Sequence, residues 1–123
     1  MAELKKVLII DDEDMLLKAL TDALSDAYDI KTAKDGETGL KVALETHPHL
    51  VILDYKLPGM DGVEVLEKLR ADEWGKLVPV FFATNSYEPE LVNKVMLGGV
   101  KDYIIKSDIS LDALKSQIER HIG

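Results

Sequence analysis

The stretch LVILDYKLPGMDG, residues 50–62, constrains this chain more than any other. Four apolar residues run directly into Asp54, and Pro58, Gly59 and Gly62 then force the backbone into a loop. That pattern is a buried strand ending in a carboxylate. A carboxylate at the carboxyl edge of a parallel strand adds nothing to a core, and it lies where open α/β sheets gather their ligands. A lone aspartate after a strand reads most simply as a turn cap. A second acidic strand end argues against that reading here, because Val7, Leu8, Ile9 and Ile10 run into Asp11 and Asp12.

The rest of the chain alternates around these two strands. Residues 14–25 place Leu16, Leu17, Leu20, Ala23 and Leu24 at helical spacing. Residues 28–32 alternate as a short strand, and Asp35-Gly36 offers a turn and an N-cap for a helix over 37–45. After the central strand at 50–53, Asp61 is an N-cap with Glu64 at the third helical position, opening a helix to about 71. Residues 78–83 form another apolar run, entered through Pro79 and ending at Thr84-Asn85-Ser86. Pro89 suits the first turn of a helix carrying Leu91, Val92, Val95 and Met96, which Gly98-Gly99 ends. A last strand over 102–105 ends at Lys106, and Ser110 caps a helix whose face is Leu111, Leu114, Ile118 and Ile122.

Five β-α units of this kind predict an α/β domain spanning residues 1–123: a doubly wound parallel sheet, helices on both faces, right-handed crossovers and strand order 2-1-3-4-5. In that order the first and third strands are neighbours where the winding reverses. Asp11, Asp12 and Asp54 therefore open into one crevice, bordered by Thr84 and Lys106. Carboxylates so placed repel by about 4 kcal/mol for a pair 4 Å apart at an effective dielectric of 20. A cation must offset this. All-oxygen donors favour Mg²⁺ or Mn²⁺ over zinc, and Mg²⁺ uses one or two carboxylates, keeps several waters and takes a phosphoryl oxygen. Lys106 adds a second positive charge, and a hydroxyl such as that of Thr84 can donate to a phosphoryl oxygen. The chemistry implied is an aspartyl phosphate.

Composition removes competing classes. With no cysteine there is no disulfide, thiolate metal site or thiol nucleophile. A net charge of −8 without a basic patch argues against direct nucleic-acid binding. No apolar run approaches the roughly 18 residues of a membrane span, and MAELKK leads straight into the first strand without a leader. A cytoplasmic protein with no membrane contact is expected. His47, His49 and His121 lack metal-ligand spacing and are expected at the surface, Trp74 in loop packing, and Phe81, Phe82 and Met96 in the core.

Taken together, VLIIDDED, LVILDYKLPGMDG, VPVFFATNS and DYIIK stand in the order and at the spacing of the receiver domain of two-component response regulators. The chain resembles that family over essentially its whole length. The resemblance implies a flavodoxin-like (βα)5 fold with Asp54 as phosphoacceptor, Asp12 as direct Mg²⁺ ligand, Asp11 as a ligand through water, and the backbone carbonyl of Lys56 as a third metal contact. It implies Lys106 as the phosphate-pairing lysine, and Thr84 with Tyr103 as a switch pair that alters the surface of the fourth helix, fifth strand and fifth helix. The implied partners are a sensor histidine kinase or a histidine phosphotransfer protein, and an output protein that the sequence does not name. Since the chain ends soon after its last helix, a stand-alone receiver is expected, a monomer or transient dimer and not an enzyme in the ordinary sense, although it catalyses its own phosphorylation and dephosphorylation.

Two residues depart from the family pattern. Asn85 replaces the usual small residue after the threonine, and Ser107 replaces the usual proline after the lysine. With Lys56 and Ser86 they are candidate tuning positions. A trans Lys106-Ser107 bond is expected, because a non-proline residue pays roughly 2.5–4 kcal/mol for cis. Two rival readings remain, a phosphorylation-independent docking module and an aspartate-nucleophile phosphatase. Phosphatases of the haloacid dehalogenase type place a second aspartate two residues after the nucleophile, where this chain has Lys56.

Overall fold

The computed structural model describes residues 3–85 and 87–123. Strands and helices alternate as β1 (Lys5–Ile10), α1 (Asp14–Leu24), β2 (Tyr28–Ala33), α2 (Gly36–Thr46), β3 (Leu50–Asp54), α3 (Gly62–Arg70), β4 (Val80–Thr84), α4 (Pro89–Leu97), β5 (Asp102–Ile105) and α5 (Leu111–Ile122). All pairings are parallel and the order is β2-β1-β3-β4-β5, as the sequence predicts. Element boundaries move by one or two residues. β4 begins at Val80 instead of Val78 because Pro79 has no N–H for the ladder, although its carbonyl accepts from Val51 N at 3.0 Å.

Alternate residues of each strand feed two separate cores. Leu8, Ile10, Val51, Leu53, Val80 and Phe82 pack with Ala43 of α2, Leu66 and Leu69 of α3, and Leu91 and Val95 of α4. On the other face Val7, Ile9, Leu50, Ile52 and Phe81 meet Leu17, Leu20 and Leu24 of α1 and Leu114, Ile118 and Ile122 of α5. With both faces covered, the central strands β3 and β4 are buried at every position, hence their continuous apolar runs.

The helices start where their caps dictate. The carboxylates of Asp35 and Asp61 accept from Thr38 N and Glu64 N at 2.7 and 3.0 Å, and the Ser110 hydroxyl accepts from Ala113 N at 3.1 Å. One packing expectation is corrected: Met96 is 49% exposed, not in the core. α4 touches the sheet through Leu91 and Val95, four residues apart, and Met96 lies roughly 100° further round the helix. Trp74 is half-buried and stacks on the exposed His47, with ring centroids 4.4 Å apart, while His49 and His121 are also exposed.

Candidate functional site

Four strand ends and one close turn build the crevice at the carboxyl edge of the sheet. Asp11 follows β1 directly, its N–H donating to Ala33 O at 3.0 Å, and its Oδ1 accepts from Glu13 N at 2.9 Å. That turn delivers the chain into α1. Asp54 is the last residue of β3, and its Oδ1 accepts from Tyr55 N at 2.8 Å. Gly62, the first residue of α3, presses against this strand end: a Cβ there would lie 2.2 Å from Asp54 O, so only glycine admits the approach. Thr84 ends β4, and its carbonyl accepts from Lys106 N at 2.7 Å, which brings the end of β5 alongside.

The side chains at the base of the crevice are almost fully buried. Asp11, Asp54 and Thr84 are 3%, 6% and 3% exposed. Lys106 Nζ lies 2.8 Å from Asp11 Oδ2, 2.9 Å from Glu13 Oε1 and 3.3 Å from Asp54 Oδ2. Burial opposes the ammonium charge, but hydrogen bonds to Asp11 and Glu13 and the charges of Asp54 and Asp11 outweigh it and raise the lysine pKa. Asp54 is pushed up to about 6, first by burial and then by the neighbouring charge of Asp11, with Lys106 pulling the other way.

Asp12 is exposed, yet one carboxylate oxygen from each of Asp11, Asp12 and Asp54 lies within 4.8 Å of the other two. An all-oxygen set of this spacing suits a hard divalent cation, which would offset the burial and the Asp11 charge that together raise the Asp54 pKa.

The other predicted residues divide. Tyr103 is half-buried, its ring 5.9 Å from that of Phe82 and 6.4 Å from that of Tyr87, with its hydroxyl in reach of the Glu88 backbone. Lys56, Asn85 and Ser107 are exposed, and Ser86 lies outside the described residues. No peptide bond among the described residues is cis, so Lys106-Ser107 is trans, and the lysine still reaches into the crevice. Sequence reasoning missed Glu13. Its only signal was the acidic run DDED, and nothing in that run says which acid turns toward a lysine 93 residues away.

Known proteins are similar to this chain in sequence and fold. Residues 7–119 match the family described as response regulator receiver domain. The chain is 33% identical over 124 residues to the probable chemotaxis protein CheY of Rhizobium etli, covering 99% of this chain and 95% of that one. It is 31% identical over 121 residues to the regulatory protein AtoC of Escherichia coli, of whose length it spans only 26%. The solved structure of the chemotaxis protein CheY4 of Vibrio cholerae superimposes with a TM-score of 0.88 at 26% identity, covering 97% of this chain and 99% of that one. The chain therefore belongs to the receiver domains of two-component response regulators, which act in signalling as phosphoacceptors.

Proposed function

We propose that Asp54 accepts a phosphoryl group from a phosphohistidine, carried by a sensor histidine kinase or a histidine phosphotransfer protein. The observation that carries this is a buried strand-end carboxylate beside a lysine whose side chain is 9% exposed, in one crevice with two further acids. A carboxylate whose pKa is pushed up to about 6 is still mostly ionised at neutral pH and is more basic than an exposed aspartate. An ionised oxygen of Asp54 forms the new O–P bond as the donor's N–P bond breaks, and the bonding pair leaves on the imidazole nitrogen.

Asp11, Asp12, Asp54 and the carbonyl of Lys56 would hold Mg²⁺ or Mn²⁺. Bound there, the cation offsets the charge of the acids and of the incoming phosphoryl oxygens. Lys106 leaves its carboxylate partners to pair with the phosphoryl group, and Thr84, at the end of the neighbouring strand, donates to another of its oxygens. Movement of Thr84 draws Tyr103 inward from its half-buried place beside Phe82 and Tyr87, which changes the α4, β5 and α5 surface presented to an output protein. Residues 1–123 act as one receiver unit in the cytoplasm and promote their own phosphorylation and its reversal. No helix among the described residues is long and apolar enough to cross a membrane.

Intact-mass measurement after incubation with Mg²⁺ and acetyl phosphate tests the assignment. One phosphate should be gained by the native chain and none by Asp54→Ala. A phosphate gained by Asp54→Ala at the native rate would overturn it.

A further inference from the structure

Lys106 is held by three carboxylates of two kinds. Asp11 and Asp54 have side chains only 5% and 7% exposed, and both belong to the acidic group suited to a cation. Glu13 is 49% exposed and lies outside that group. It is the N-cap residue of α1, yet its side chain makes no cap hydrogen bond, so the carboxylate reaches across the crevice mouth to Lys106 Nζ at 2.9 Å.

We propose that Glu13 is a positioning residue that keeps Lys106 ion-paired when a divalent cation takes over Asp11 and Asp54. The inference rests on the cation and phosphoryl reading above. A cation entering the acidic group competes with the ammonium for the two buried aspartates. Without another partner, the displaced lysine would be a buried, uncompensated charge, and that penalty would be subtracted from the cation's affinity. Glu13 removes the penalty. It stands on the solvent side, so Lys106 stays at the crevice instead of swinging away. Because Glu13 is half exposed, water can solvate it once Lys106 moves on to a phosphoryl oxygen, and the second transfer is inexpensive as well. A buried acid could not serve in this way, since its release would leave a charge without water.

Mg²⁺ titration by calorimetry of the native chain, Glu13→Gln, Lys106→Met and the double variant separates this role from simple attraction between Glu13 and the cation. Glu13→Gln should weaken Mg²⁺ roughly fivefold in the native background and less than about twofold where Lys106 is already Met, because the effect passes through the lysine. An equal loss in both backgrounds would show that Glu13 acts on the cation directly, and the proposal would fall while the cation reading stood. Absence of Mg²⁺ binding by every variant, the native chain included, would remove both. Nuclear magnetic resonance of the Lys106 ammonium gives a second readout. At saturating Mg²⁺ its protons should exchange slowly in the native chain and quickly in Glu13→Gln, and equal exchange in the two would overturn the positioning role.

Discussion

Two half-hidden cations stand at opposite edges of the sheet, and they are held in opposite ways. Lys106, at the carboxyl edge, is surrounded by charged groups: Asp11, Glu13 and Asp54. Arg70, at the other edge, is surrounded by dipoles. Its Nε donates to Gly98 O at 2.7 Å, its Nη1 to Gly75 O and Val78 O at 2.7 Å each, and its Nη2 to Gly99 O at 3.3 Å. Burial lowers the arginine pKa with no carboxylate to oppose it, whereas the acids around Lys106 raise its pKa. The difference teaches what each cation is for. Fixed backbone carbonyls suit a guanidinium fork that ties the end of α3 to the loop before β4 and to the end of α4. Carboxylates that repel one another can exchange one cation for another, as the proposed function requires.

The largest effect should come from Arg70→Met, which strands several carbonyls and costs about 3 kcal/mol of stability, measured as a fall in the urea midpoint. Mg²⁺ should not restore it. Lys106→Met should cost about 2 kcal/mol in EDTA, since it leaves two buried carboxylates unpaired in a crevice partly open to water, and millimolar Mg²⁺ should restore most of the loss. If Mg²⁺ rescued both variants or neither, the contrast between exchangeable and fixed partners would fail.

Asp54→Asn should act in the opposite direction. An acid whose folded pKa is raised from 3.8 to about 6 contributes stability fully present below pH 3.8 and lost as pH rises through about 6. Removing the charge should therefore stabilise the metal-free chain at pH 7.5 by about 1 kcal/mol after solvent screening, with the gain disappearing near pH 4. Urea denaturation across that range measures it, and a gain that grew on acidification would contradict the sign. The smallest effect belongs to Lys18→Ala. The Lys18 and Asp22 side chains are 79% and 67% exposed, so losing their pair at 3.3 Å should change the urea midpoint by less than about 0.5 kcal/mol.

Much of the molecule was legible in the chain. Continuous apolar runs reported strands covered on both faces, and Asp35, Asp61 and Ser110 reported helix starts, because these signals lie in neighbouring residues and need no tertiary context. The convergence of Asp11, Asp12, Asp54, Thr84 and Lys106 followed from strand order alone, since parallel strands place all their carboxyl ends at one edge.

Tertiary structure alone decided the rest. Met96 reads as helical core, yet α4 is short and presents only Leu91 and Val95 to the sheet. Arg70 and Glu13 gave no sign of their roles, because these include contacts across 28 and 93 residues of sequence, made by long side chains whose direction depends on what surrounds them. Sequence by itself determined which acids and which lysine share an edge, through local patterning and the handedness of parallel crossovers. Which acids hold the lysine was decided by burial and by the turn after β1, where Asp11 accepts from Glu13 N and the chain enters α1.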